Sequence, residues 1–126
     1  MGREETIVSD AIRAYLTTKG CIVYRMQSGR FRGAGGWITM NPEGTPDLVC
    51  GFPIGGLCVM IGVEIKTKIG KESEEQKEFG RKLEGIGGFY AVLNSEEQAK
   101  RFIAYVTRET MSRLQKFNVA QKESFQ

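Results

Sequence analysis

Glu64 and Lys66 lie two residues apart at the end of an apolar segment, residues 57–66. β-Branched and other apolar side chains alternate along this segment, which predicts a β-strand. Side chains two residues apart in a strand point to the same face, so the carboxylate and the amine are expected to project together. Ionisable groups on a core strand are costly unless they are paired or bind a cation. The alternative is that the strand has reached solvent and both groups are hydrated.

A second carboxylate, Asp47, lies in the preceding predicted strand. Gly55 and Gly56 predict a two-residue hairpin turn, because glycine accepts positive φ at both positions. Such a turn places Asp47 directly opposite Glu64, on the same face, with Cβ atoms about 4.5–5.5 Å apart. Two carboxylates this close repel each other and need a cation between them. A bulge at Pro53 would shift the register by one residue.

Two further polar side chains are predicted to face the sheet from helices. Glu5 precedes Val8 and Ile12 by three and seven residues, so it continues the buried face of the first helix. An equally good explanation is the favourable interaction of an acid in the first turn with the helix dipole. In the second helix, Phe79, Leu83 and Ile86 are expected on the inner face. Ser73 with Gln76 predicts a capping box at the start of this helix. Gln76 precedes Phe79 by three residues and is therefore expected to face the sheet as well.

The elements that position these residues follow the order α, several β, α, β, α, which predicts a mixed sheet flanked by helices. The predicted helices cover residues 3–18, from 73, and from 95 to about 114; the predicted strands cover 21–26, 37–40, 47–52, 57–66 and 89–93. Residues 27–36 are expected to form a glycine-rich basic loop. The last strand is fully apolar, as in strands buried on both faces. A single domain is expected at 1–114, followed by a polar tail at 115–126.

The composition restricts the available chemistry. The chain contains no histidine, which excludes Ser-His-Asp and Cys-His machinery and histidine-ligated zinc. Hydrolytic chemistry would have to use carboxylates, lysine and an oxygen-preferring metal such as Mg²⁺ or Mn²⁺. No apolar run is long enough to span a membrane and no secretion signal is visible, so a cytoplasmic location is expected. Cys21, Cys50 and Cys58 are expected to be reduced core residues.

Positive charge is concentrated in the first third of the chain. Residues 1–40 contain six Lys and Arg against three Asp and Glu, whereas residues 41–126 contain twelve of each. In the glycine-rich segment, Arg30 and Arg32 flank Phe31, and Arg25 lies just before it. Arginines that contact phosphates, together with an aromatic side chain that stacks on a base, would suit binding of nucleic acid. The alternative is a solvated loop. Lys68, shortly after the Glu64 strand, could add a phosphate contact.

Taken together, these segments resemble the VRR-NUC branch of the PD-(D/E)XK nucleases. The resemblance lies in GTPDLVCG (44–51), VEIK (63–66), SEEQ (73–76) and the first helix, EETIVSDAIRAYL (4–16). It covers about residues 4–105. It implies a restriction-endonuclease-like α/β core, a mixed sheet flanked by helices in the order αβββ(β)αβα.

The resemblance also implies a metal site. One or two Mg²⁺ or Mn²⁺ ions would be held by Asp47, Glu64 and the backbone carbonyl of Ile65, with Glu5 contributing directly or through water. Lys66 would orient or deprotonate the attacking water and stabilise developing negative charge.

Gln76 would position Lys66 or the phosphate. The implied function is a structure-selective DNA endonuclease, related to stand-alone phage and bacterial proteins that act as homodimers on branched DNA such as four-way (Holliday) junctions. Two alternatives remain: a general or restriction-type DNase of the same superfamily, and a non-catalytic nucleic-acid-binding domain on this fold.

Overall fold

Helices and strands are defined in a computed structural model that describes residues 2–27, 30–67 and 72–125. In chain order these residues form α1 (Arg3–Thr18), β1 (Ile22–Arg25), β2 (Arg30–Gly33), β3 (Gly36–Thr39), β4 (Leu48–Ile54), β5 (Leu57–Ile65), α2 (Glu74–Gly85), β6 (Phe89–Leu93) and α3 (Glu96–Ser124). The first helix has the predicted bounds, and Gly20, with φ of 87°, turns the chain after its end.

The main sheet has four strands in the order β1-β4-β5-β6. The first three are antiparallel neighbours, and β6 pairs with β5 in parallel. The parallel pair requires a crossover connection, which α2 provides. The mixed sheet with helices on both faces agrees with the architecture expected from the sequence. A second sheet contains only β2 and β3.

Helices cover the two faces of the main sheet unequally. One face and the inner sides of α1 and α3 form the core, which includes Ile12, Leu16, Leu48, Ile61, Val63, Phe102, Ile103 and Val106. On the other face α2 packs over β5 at Gly62, where an added Cβ would lie 3.2 Å from Phe79 and 3.4 Å from Leu83. Glu64 lies on the face that α2 covers, because it is two positions from Gly62 in β5 and side chains two positions apart share a face.

The segment predicted as a loop at 27–36 contains a strand. β2 pairs with β3 in an antiparallel hairpin whose turn is formed by residues 34–35. The loop prediction is therefore wrong for residues 30–33. Glycine and arginine favour loops by composition, but backbone pairing across a two-residue turn needs no buried side chains, so a solvated hairpin can carry them.

The third helix is longer than predicted. It continues beyond residue 114 to Ser124, so most of the predicted polar tail is helical. No glycine or proline follows Ser95, and good helix formers such as Gln, Lys and Glu continue the helix into solvent. No helix within the described parts of the chain is long and apolar enough to cross a membrane.

Three side chains predicted to be buried are exposed instead. Ile86, expected on the inner face of the second helix, is 84% exposed because it caps the helix end. Val92 is 37% exposed; it lies on β6, an edge strand that pairs only with β5 in the main sheet. Cys58 is an exposed free thiol, whereas Cys21 and Cys50 are buried as expected.

Candidate active site

The hairpin of β4 and β5 brings two carboxylates together. Its turn is formed by the glycines at 55–56, with φ of 55° and 82°, the positive values that such a turn requires. Strand pairing runs without a slip from this turn to Leu48 opposite Val63. The next two residues in the same register are Asp47 and Glu64. The register predicted from the sequence is confirmed, and the proline in β4 does not disturb it.

Asp47 is held by backbone groups from two other segments. Its carbonyl oxygen accepts a hydrogen bond from the N–H of Met26 at 2.8 Å, and its Oδ2 accepts one from the N–H of Ile65 at 2.8 Å. The N–H of Lys66 points the other way and donates to the carbonyl of Leu93 at 3.1 Å. Because the N–H and C=O of one strand residue point to the same side, the Ile65 carbonyl lies on the side of Asp47.

Glu64 is a buried carboxylate with an unsatisfied oxygen. The residue is 4% exposed, and its Oε2 has no hydrogen-bond partner among the described residues. Its Oε1 lies 3.9 Å from the Nζ of Lys66. Burial, followed by the neighbouring Asp47, raises the pKa of Glu64 from 4.5 to about 8, and Lys66 acts in the opposite direction. The site therefore disfavours a second negative charge unless a cation is added.

These groups fit a hard divalent metal ion. Three oxygen donors lie close to the end of β5. They are the unpartnered Oε2 of Glu64, the carboxylate of Asp47 and the carbonyl of Ile65. Mg²⁺ is commonly bound by one or two carboxylates, with water and phosphate oxygens completing its coordination. Oxygen donors without histidine or thiolate favour Mg²⁺ or Mn²⁺ over zinc or copper.

Glu5 stands apart from this pair. It is half-buried, whereas Glu4 is exposed, and it lies one turn before the buried Ser9 on α1. Within the described residues, no group of three or more acidic or cysteine side chains is arranged to hold a metal ion. Glu5 is therefore not grouped with the two carboxylates of the site, and it is the less exposed of the two acids in the first turn of α1.

Comparison with known proteins gives a similarity in structure. No protein-family model matches the chain, and no curated protein matches it. A solved structure described as a VRR_NUC domain is similar to it, with a TM-score of 0.57 and 21% sequence identity, covering 82% of this chain and 97% of that domain. The chain has the VRR_NUC fold. The fold class predicted from the sequence, a mixed sheet flanked by helices, is thereby confirmed.

In this VRR_NUC fold, Lys66 and Gln76 lie at the ends of β5 and α2. The side chain of Lys66 is 27% exposed, so its amine can reach both Glu64 and solvent. Gln76 is half-buried and forms the predicted capping box: its Oε1 accepts from the N–H of Ser73 at 2.8 Å, and its own N–H donates to Ser73 Oγ at 3.1 Å. The cap uses the side-chain oxygen of Gln76, so its amide NH₂ is the group left to face a ligand.

Three of the predicted DNA contacts lie on strands β1 and β2 of the VRR_NUC fold. Arg25 is exposed at the end of β1, and Arg30 and Arg32 are exposed in β2. Phe31 lies between the latter two in β2, but its side chain falls outside the described part of the structure, as does the whole of Lys68. The structure thus places three of the five predicted contact residues on exposed strand positions.

One polar pair beside the site was missed by the sequence reasoning. Tyr90 in β6 lies opposite Gly62, and its hydroxyl donates to Glu72 Oε2 at 3.0 Å. Burial, followed by Glu72 and more weakly by the two carboxylates of the site, raises the pKa of Tyr90. The only sequence signal was the Tyr90 hydroxyl in an otherwise apolar strand. That Glu72 is its partner becomes visible only when β6 is paired in parallel with β5. The bond ties the start of α2 to the sheet.

The turn before Asp47 also depends on close contact with α2. Gly44 has φ of 92°, and a Cβ added there would lie 2.6 Å from the carbonyl carbon of Glu75. Gly44→Ala is therefore expected to lower the free energy of unfolding by about 2–4 kcal/mol, through left-handed strain and overpacking. Denaturant unfolding measures the change.

Gly87→Ala is the matched control for Gly44→Ala. Gly87 has a similar φ of 98°, but a Cβ there would meet nothing within 4 Å. The Gly87→Ala variant should incur only the left-handed strain, which lowers the free energy of unfolding by about 1–2 kcal/mol. Equal losses in the two variants would show that the contact between the turn and α2 has no energetic effect.

Proposed function

We propose that this chain is a divalent-metal-dependent nuclease that hydrolyses phosphodiester bonds in DNA. The observation that carries the proposal is the buried Glu64 carboxylate, with an unpartnered oxygen, beside Asp47 and with Lys66 at 3.9 Å. The likeness to a structure described as a VRR_NUC domain and the motif resemblance support membership of that nuclease family.

Asp47, Glu64 and the Ile65 carbonyl would hold Mg²⁺ or Mn²⁺. When bound, the ion supplies charge neutralisation at the scissile phosphate and acidifies a water molecule. The N–H of Ile65 keeps the Asp47 carboxylate in place through its 2.8 Å bond. Lys66 orients or deprotonates the attacking water and stabilises negative charge as it develops.

Gln76 and Glu5 complete the proposed site. The amide NH₂ of Gln76, left free by the helix cap, positions Lys66 or a phosphate oxygen. Glu5 contributes through a water molecule. Both roles rest on the facing of the two helices and on the family resemblance.

Branched DNA is the proposed substrate, four-way junctions included, cut by a homodimer. Exposed arginines on β1 and β2 suit contact with the backbone of DNA. The sequence has no pattern typical of base-edge readout, so DNA structure is a better target than sequence. Two active sites related by a two-fold axis would suit paired incisions in a symmetric junction. This part of the proposal comes from the family resemblance.

Cleavage of labelled DNA tests the proposal. Linear duplex, flap and four-way-junction substrates are incubated with the protein in Mg²⁺, Mn²⁺ or EDTA. We expect cutting with either metal, none in EDTA, and faster cutting of branched substrates. Cutting that persists in EDTA would contradict the metal site, and preference for linear duplex would contradict the branched substrate. Light scattering tests the homodimer independently, which a monomeric mass would exclude.

A further inference from the structure

The β2–β3 hairpin leaves the main sheet beside the catalytic residues. β1 ends at Arg25 and the chain returns to the main sheet just after Asp47. The root of the hairpin is closed by the carbonyl of Gln27, which accepts from the backbone N–H of Asn41 at 3.0 Å and from Asn41 Nδ2 at 2.8 Å. The N–H of Met26 donates to the carbonyl of Asp47. Residues 30–39, the hairpin arm, are thus anchored next to the site.

One face of the hairpin arm carries two arginines and a tryptophan. The register pairs Arg32 with Trp37, and residues paired in this way share a face. Arg30, two positions from Arg32, lies on the same face, with its guanidinium carbon 5.0 Å from the centre of the Trp37 ring. Trp37 is 62% exposed, and both arginines are exposed. Arg30 therefore lies over one face of the Trp37 ring, and the remaining exposed aromatic surface is presented to solvent beside two positive charges.

This surface has the chemistry of a nucleobase platform. Aromatic rings stack on bases without regard to sequence, and neighbouring guanidinium groups contact the phosphates on either side. The hairpin arm contains no acidic residue, so its charge complements a polyanion. An arginine stacked on a tryptophan also stabilises a hairpin by itself, but a purely structural pair does not need the anchor next to Asp47 or the absence of acids.

We propose that Trp37, with Arg30 and Arg32, forms a stacking site for a nucleobase exposed from the helix stack. The arm would thereby select DNA with an unpaired or unstacked base near the scissile bond, as in a flap or at a branch point. This inference rests on the proposed nuclease function and names the structural feature of DNA that it recognises.

Fluorescence tests the stacking directly, because Trp37 is the only tryptophan in the chain. A single-stranded deoxyoligonucleotide is titrated into the protein in EDTA, so that no cleavage is needed. Stacking is expected to quench the emission and shift it as solvent is displaced. Unchanged emission at oligonucleotide concentrations that saturate binding, measured by anisotropy of a labelled strand, would overturn the proposal.

Cleavage kinetics test the consequence for substrate choice. Trp37→Ala is expected to raise KM for a flap substrate about 5- to 100-fold, the loss of one stacked base, and to leave kcat and the cutting of linear duplex nearly unchanged. Trp37→Phe should restore most of the loss. Phe125→Ala, which removes an aromatic that is 87% exposed at the far end of α3, is the matched control and should behave as wild type.

The two proposals fail in different ways. Wild-type cleavage with equal flap KM in Trp37→Ala and wild type would overturn the stacking site and leave the nuclease intact. Quenching by the oligonucleotide without any metal-dependent cleavage would overturn the nuclease and leave the stacking site.

Discussion

Lys66→Ala is expected to slow metal-dependent DNA cleavage by about 10²- to 10⁴-fold, the usual effect of removing a group that transfers a proton or stabilises charge in the transition state. Lys66 extends from the end of β5 with its Nζ 3.9 Å from Glu64 Oε1, so in the proposed mechanism it lies beside the carboxylates that would hold the metal. Because Lys66 lowers the pKa of Glu64, its loss should also make Glu64 harder to ionise.

Single-turnover cleavage of a junction substrate in Mg²⁺ measures the effect. Lys66→Arg separates two roles, since arginine keeps the positive charge but does not give up a proton. If Lys66→Arg is as slow as Lys66→Ala, Lys66 acts by proton transfer. If Lys66→Arg keeps partial activity, Lys66 acts by charge stabilisation. Lys77→Ala is the control, because Lys77 pairs with Glu74 at 3.3 Å on the exposed side of α2. Equal rates for Lys66→Ala and wild type would rule out the mechanism.

Binding of Mg²⁺ or Mn²⁺ is expected to strengthen about tenfold per pH unit from about pH 5 to about pH 8. The reason is that the pKa of Glu64 is raised to about 8, so a metal ion must displace a proton throughout this range. Titration calorimetry at several pH values measures both the affinity and the protons released. Affinity independent of pH, with no proton release, would contradict a protonated Glu64 in the metal-free site.

The same shift gives the metal-free protein a stability that falls as pH rises. The folded protein binds one proton more than the unfolded chain between the ordinary pKa of 4.5 and the raised value of about 8. This stabilisation is fully present below about pH 4.5 and is lost as the pH rises through about 8. Between these limits the free energy of unfolding should decrease by about 1 kcal/mol for each pH unit.

Glu64→Gln isolates this contribution, because glutamine imitates the protonated carboxyl and cannot ionise. The variant should lose the pH slope, bind metal weakly and exceed the stability of metal-free wild type at about pH 8. Saturating Mg²⁺ should restore the wild type and leave the variant unchanged. Glu84→Gln, an exposed site on α2, is the control and should keep the wild-type slope. If the pH dependence of the free energy of unfolding persists in Glu64→Gln, it arises from a group other than Glu64.

Local sequence determined the register that joins Asp47 to Glu64. Two glycines that accept positive φ define the turn of the hairpin, and a side-chain period of two then assigns each residue to a face. The start of α2 is equally local, because Ser73 and Gln76 satisfy each other's backbone groups within one turn. These features depend on residues close together in the chain, which is why they could be predicted with their bounds.

Predictions from composition were wrong for the hairpin arm, which was expected to be mainly a loop, and for the end of α3, which was expected to be a polar tail. The arm is rich in glycine and arginine, yet it pairs as strands and sets Arg30 against Trp37. The last helix passes residue 114 because nothing in its sequence stops it. In both places the apolar periodicity that predicts an element is absent, since neither segment faces the core.

Only the tertiary structure decided how the carboxylate pair behaves. The burial of Glu64, which raises its pKa, follows from the position of the β5 end within the packed sheet. The bond from Ile65 to Asp47 crosses strands, and the contact of Tyr90 with Glu72 requires the crossover that places β6 beside β5. The sequence by itself determined which groups could bind a metal. The need for a cation in the proposed site arises from desolvation of these groups, which depends on how distant segments pack around them.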